Sequence, residues 1–116
     1  MKNFKEKEQK DWGKAADPLE KTIEKTVKDY ARGLKVLVRK YSSPSQRSVP
    51  DDIFFFDNGV AVFVEFKRKG KRPTPAQAEE LGKLIDRGYH VLVIDNIAEG
   101  KRFVNHYINY AASIER

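Results

Sequence analysis

Apolar residues in this chain recur with two different periods, and the switches between them mark out its elements. Leu19, Ile23, Val27, Tyr30 and Leu34 return every three or four residues, the spacing that gathers side chains on one face of a helix. Asp17 reads as the N-cap of that helix, Pro18 as its first residue and Glu20 as the acid three places after the cap, a start that joins a capping oxygen to a preset φ. Lys35–Tyr41 then reads as a strand and residues 42–48 as a mobile loop. Two short apolar runs follow, Ile53-Phe54-Phe55-Phe56 and Val60-Ala61-Val62-Phe63-Val64, separated by Asp57-Asn58-Gly59. Asn-Gly accepts the positive φ angles of a tight turn, so the two runs are predicted to form an antiparallel hairpin. Thr74-Pro75-Ala76-Gln77 repeats the cap pattern for a second helix, which Gly88 ends. Tyr89–Asp95 is nearly all apolar, as in a strand covered on both faces, and a last helix is predicted over residues 98–114. The expected order is helix, three strands, helix, strand, helix, an α/β arrangement.

The hairpin carries the chemistry. Val49-Pro50-Asp51-Asp52 runs into its first strand, and Glu65-Phe66-Lys67 closes its second. The start and end of an antiparallel pair lie side by side, so Asp51, Glu65 and Lys67 are brought together. Residues two apart in a strand share a face, which puts Glu65 with Lys67 and turns Phe66 away. Two converging carboxylates make the hard oxygen site that Mg²⁺ or Mn²⁺ prefers. A lysine beside them can orient or deprotonate a water, or offset charge on a phosphate under attack. The plainer reading is a hairpin with solvated charged ends, but Glu and Lys are poor continuations of so apolar a strand.

Pro50-Asp51, the hairpin and Glu65-Phe66-Lys67 resemble the PD-(D/E)XK nuclease motif, and more narrowly the virus-type replication-repair nuclease (VRR-NUC) domain. Further matching text is Leu19-Glu20, Val38-Arg39-Lys40, Ser43-Pro44 with Arg47, Lys71 to Pro75 followed by Gln77, and Val91-Leu92-Val93-Ile94-Asp95, so the likeness covers about residues 18–100. Ser45 and Ser48 stand where such domains often carry glycines. The resemblance implies a restriction-endonuclease-like core, a mixed β-sheet flanked by helices in the order α-β-β-β-α-β-α, over residues 17–116. It also implies a Mg²⁺ or Mn²⁺ ion held by Asp51, Glu65 and the Phe66 carbonyl, with Lys67 at the water. Glu20 and Gln77 acquire catalytic roles from it, although either could be a helix-capping residue alone. Glu24, one turn beyond Glu20, is the rival for the first-helix role. Standalone phage forms of the domain are similar to Holliday-junction resolvases, which implies a homodimeric endonuclease on branched DNA; the expected location is the cytoplasm, that of a bacterial host if the chain is phage-encoded. A non-catalytic DNA-binding subunit and a nuclease of ordinary duplex are the alternatives.

Composition sets the bounds. The 116 residues suffice for one domain with a modest core. Residues 1–16 are polar and charged, expected as a loose helix or a disordered arm. No apolar stretch reaches membrane-span length and no signal peptide is evident, while the absence of cysteine fits a reducing compartment. Charge is clustered: Arg32, Lys35, Arg39, Lys40 and Arg47 fall within residues 31–50, and Lys67, Arg68, Lys69, Lys71 and Arg72 within 67–72, with no acid in either segment. Together these carry +10 of a net +6, so the remainder is at −4. Positive charge on both sides of the carboxylates is the footprint of a polyanion partner, with Arg39, Lys40, Arg47, Arg68, Lys69, Lys71 and Arg72 as candidate phosphate contacts. His90 and His106 have no ligand partners in sequence and read as structural. The last helix carries two apolar stripes, Phe103-Tyr107-Tyr110-Ile114 and Val104-Ile108-Ala111, wide enough to serve both a core and a dimer contact.

Overall fold

A computed structural model describes residues 17–115, so the expected amino-terminal arm lies outside the described residues. Helix α1 spans Glu20–Gly33, and strands β1, β2 and β3 span Leu37–Lys40, Asp52–Phe55 and Ala61–Phe66. Helix α2 (Pro75–Asp86), strand β4 (His90–Ile94) and helix α3 (Ile97–Ala112) complete the predicted order. The sheet runs β1-β2-β3-β4, antiparallel through the first three strands and parallel between β3 and β4. It is therefore mixed, as expected. A parallel neighbour needs a crossover, and α2 is that crossover.

Strand alternation gives the sheet two unequal sides. Val38, Phe54, Val62, Val64 and Phe66 face the main core with Ile23, Val27 and Ala31 of α1 and Phe103, Val104 and Ala111 of α3. Phe54 meets Phe103 edge-on at 5.1 Å between centroids, a favoured aromatic geometry. On the other side α2 packs against β4 and buries only Leu81. The hairpin turns as its sequence demands: Asn58 and Gly59 take φ of 59° and 77°, and the Phe56 N–H closes the turn on the Val60 carbonyl at 2.7 Å.

Several expectations are corrected. The first helix starts at Glu20 with Leu19 as N-cap and no side-chain cap, because Asp17 lies two residues upstream of the position from which a side chain reaches the first free N–H groups. Leu19 and Leu34, flanking the helix, are exposed, and Ala31 takes the last buried position. Strand β4 is not covered on both faces; as an edge strand it buries only Ile94. Both stripes of α3 pack towards the core, with Tyr107, Ile108 and Ile114 half-buried there and Tyr110 left exposed, so stripe width no longer argues for a partner surface. The loop before Asp51 needs no glycine, since none of residues 41–51 adopts a positive φ.

Candidate active site

The register of the hairpin brings its two carboxylates together. Asp52 pairs with Val64 and Ile53 with Phe63; one step outward, Asp51 stands opposite Glu65. Asp51 Oδ2 accepts the Phe66 backbone N–H at 2.7 Å, so the end of β3 itself orients the aspartate. Buried Pro50 precedes it with a fixed φ.

Glu65 is 1% exposed, an unusual place for a carboxylate. Its Oε2 accepts a hydrogen bond from Gln77 Nε2 at 3.0 Å and lies 3.4 Å from Lys67 Nζ. Its Oε1 is buried with no partner. Burial, followed by the charge of Asp51, raises Glu65 to about 7 against Lys67 pulling down. Asp51 is raised by burial too, with the Phe66 N–H opposing and Glu24 adding repulsion. Two carboxylates that resist ionising at one corner, one with an orphaned oxygen, are what a divalent cation would relieve. Among the described residues no group of three or more His, Cys, Asp or Glu is arranged to hold an ion unaided. Two carboxylates fit an ion of the Mg²⁺ kind, which keeps several waters and takes few protein ligands.

Glu20 comes to this corner from the other side of the sheet, as the first residue of α1. Burial and the Asp51 charge raise it, while Lys67 pulls it down. Because the helix starts at Glu20, this residue is not the third-position member of a capping box, and capping no longer explains it. Glu24 is differently occupied: Lys28 and Lys40 reach its Oε2 at 3.3 and 3.2 Å. Gln77 is a capping residue and also touches the carboxylate corner. Its Oε1 accepts the Thr74 N–H at 2.9 Å to complete a capping box, while its Nε2 holds Glu65.

The candidate phosphate contacts lie on β1 and on the loops that follow β1 and β3. Lys40, at the end of β1, acts electrostatically on Glu20 and Asp51. Arg68, Lys69, Lys71 and Arg72 are exposed on the loop that leaves Lys67, where the Gly70 N–H donates to Asp95 Oδ2 at 3.0 Å. Arg39 and Arg47 are exposed on β1 and the following loop. His90 Nδ1 lies 3.1 Å from the Tyr107 hydroxyl, and His106 stacks edge-on to the same ring, so both sit in an aromatic cluster.

Sequence reasoning passed over a buried ion network behind the site. Asp52 is fully buried on the core face, 3.0 Å from Lys28 Nζ, which also binds Glu24. Burial and the Glu24 carboxylate raise Asp52 to about 7. The signal was available: alternation sends Asp52 to the side opposite Asp51, where a charge needs a partner.

No family model matches the chain. A protein of Acyrthosiphon pisum secondary endosymbiont phage 1 named "Putative nuclease p44" is 38% identical over 77 residues, covering 66% of this chain and 83% of that one. A solved structure described as "VRR_NUC domain" superposes with a TM-score of 0.70 at 30% identity, covering 76% of this chain and 96% of its own. A second, "VRR_NUC domain protein", gives 0.68 at 19% identity over 81% and 91%, a likeness of fold.

Proposed function

Because this chain belongs to the VRR-NUC family of nucleases, we propose that it is a Mg²⁺- or Mn²⁺-dependent endonuclease hydrolysing phosphodiester bonds in DNA. The observation that carries the reading is the corner at which Asp51, held by the Phe66 N–H, faces a buried Glu65 with an unpartnered oxygen and Lys67 beside it.

Asp51 and Glu65 would hold the ion, with the Phe66 carbonyl as a further ligand. When bound, such an ion polarises the scissile phosphate and lowers the pKa of its water. Lys67 positions the attacking water and helps neutralise charge developing on the phosphate oxygens. Glu20 accepts a hydrogen bond from water at the same corner, while Gln77 keeps the Glu65 carboxylate aimed. Arg39, Lys40, Arg47, Arg68, Lys69, Lys71 and Arg72 bind phosphates to either side and set the register of the strand.

The preferred substrate in this reading is branched DNA, cut as a homodimer, since paired nicks across a four-way junction need two sites related by symmetry. The test is purified protein with Mg²⁺ or Mn²⁺ on duplex, flap, fork and four-way substrates, beside Asp51→Ala and Glu65→Ala. Cleavage by the wild type alone, with the variants still binding DNA in Ca²⁺, is the expected result. Binding without cleavage in either ion would leave a non-catalytic DNA-binding domain. Light scattering tests the assembly: a monomer making symmetric paired nicks would refute the dimer.

A further inference from the structure

We propose that the cleft between α1 and the end of β1 is a second phosphate-binding track, gripping the DNA strand beyond the scissile phosphate; this rests on the endonuclease reading above. The cleft has a volume of ≈ 610 Å³ and is lined by residues of α1 together with Lys40. Its inner wall is electrically balanced. Glu24 is engaged by Lys28 and Lys40 at 3.3 and 3.2 Å, and Lys28 turns also to buried Asp52 at 3.0 Å. The inner carboxylates are therefore covered and do not repel a phosphate.

The rim is not balanced. Lys21, Lys25 and Arg32 stand there with Asp29 as the one rim acid. Lys25 and Arg32 share that aspartate, at 2.7 and 3.8 Å, across pairs whose side chains are more than half exposed. Lys21 has no ion-pair partner among the described residues. Exposed pairs of this kind hold little energy, so a phosphate can take their place, and a net two positive charges remain to attract it.

Position connects the cleft to the chemistry. Lys21 follows Glu20 directly, and Lys40 at the cleft's other wall acts on both Glu20 and Asp51. From Lys21 to Arg32 the stripe follows α1 for about 16 Å at the helical rise. That matches the axial length of roughly five nucleotides of one B-form strand. A strand bound at the carboxylates thus has a positively charged path to follow along α1.

The experiment uses the triple variant Lys21→Ala/Lys25→Ala/Arg32→Ala and the single variant Lys21→Ala, since alanine on an exposed helix face preserves the helix. Binding of a fluorescein-labelled four-way junction and of a labelled duplex is followed by anisotropy in Ca²⁺ across a salt series. With two fewer phosphates neutralised, the slope of log K against log salt should flatten by about 1.8 in the triple variant, and by about 0.9 in the single variant with one fewer. At about 0.1 M salt the triple variant should then bind roughly sixtyfold more weakly, relative to the difference at 1 M. Arg102→Ala, an exposed cation on α3, serves as the control and should keep the wild-type slope. Wild-type slope and affinity in both α1 variants would overturn the track and leave a solvated helix face. A wild-type protein that neither binds nor cuts either DNA would instead overturn the endonuclease reading, and the track with it.

Discussion

Replacing Glu65 by glutamine should stabilise the metal-free protein at alkaline pH while destroying its activity. Glu65 is 1% exposed, its Oε1 has no partner, and its pKa stands at about 7 against an ordinary 4.5, through burial first and Asp51 second. Below the ordinary carboxylate range both folded and unfolded chains hold the group protonated, and nothing is lost. As pH rises the unfolded chain ionises first, so stability falls until the folded carboxyl ionises near 7 and is constant above it. The full difference corresponds to about 3 kcal/mol, or roughly 12 °C in melting temperature for a domain of this size. Glutamine keeps an oxygen for Gln77 and Lys67 and carries no charge, so it escapes this loss. Asp52, also raised to about 7, is common to both proteins and cancels in the comparison. Circular-dichroism melts in EDTA at pH 5 and pH 8 make the measurement. Both proteins should lose stability between them through Asp52, but the wild type should lose more by the Glu65 share, so that the variant melts above it at pH 8. Mn²⁺ at about a hundred times its Kd should return about 2.7 kcal/mol to the wild type and little to the variant. A variant that melts below the wild type by the same amount at both pH values would refute the reasoning.

Gln77→Ala and Thr74→Ala both break the capping box and should each cost about 1 kcal/mol in urea denaturation; only Gln77→Ala should also lower turnover, and equal turnover in the two would reduce Gln77 to a cap. Lys67→Ala should lower turnover at least about a hundredfold, whereas Lys71→Ala should weaken DNA binding and flatten its salt dependence. If Lys67→Ala behaves like Lys71→Ala, Lys67 is only part of the basic surface. A methyl group at Gly100 would overlap Val27 Cγ2, where α3 crosses α1, so Gly100→Ala should cost roughly 1–3 kcal/mol; a urea midpoint equal to wild type would show that the two helices part freely there.

Local physics made the order of elements and one corner of the site legible in the sequence. The Asn58-Gly59 turn forces a hairpin, and a hairpin with a side-chain period of two must bring Asp51 opposite Glu65 and put Lys67 on the same face. Thr74-Pro75 with Gln77 at the third helical position states its own cap. These features depend on neighbours within a few residues or across one tight turn, which is why sequence sufficed. The remainder depended on how layers stack. Only the docking of α1 brought Glu20 to the carboxylates and tied Glu24 to Lys28 and Lys40, because helix periodicity gives a residue's angle but not what lies beneath it. Only the placing of α2 on the thin side of the sheet let one glutamine amide cap a helix and hold Glu65. The edge position of β4, which exposes a strand whose composition reads as buried, and the inward packing of both stripes of α3 followed from strand order. Burial itself, which lifts Glu65 and Asp52 to about 7, is a property of surrounding atoms contributed by segments far apart in the chain, and no local pattern encodes it.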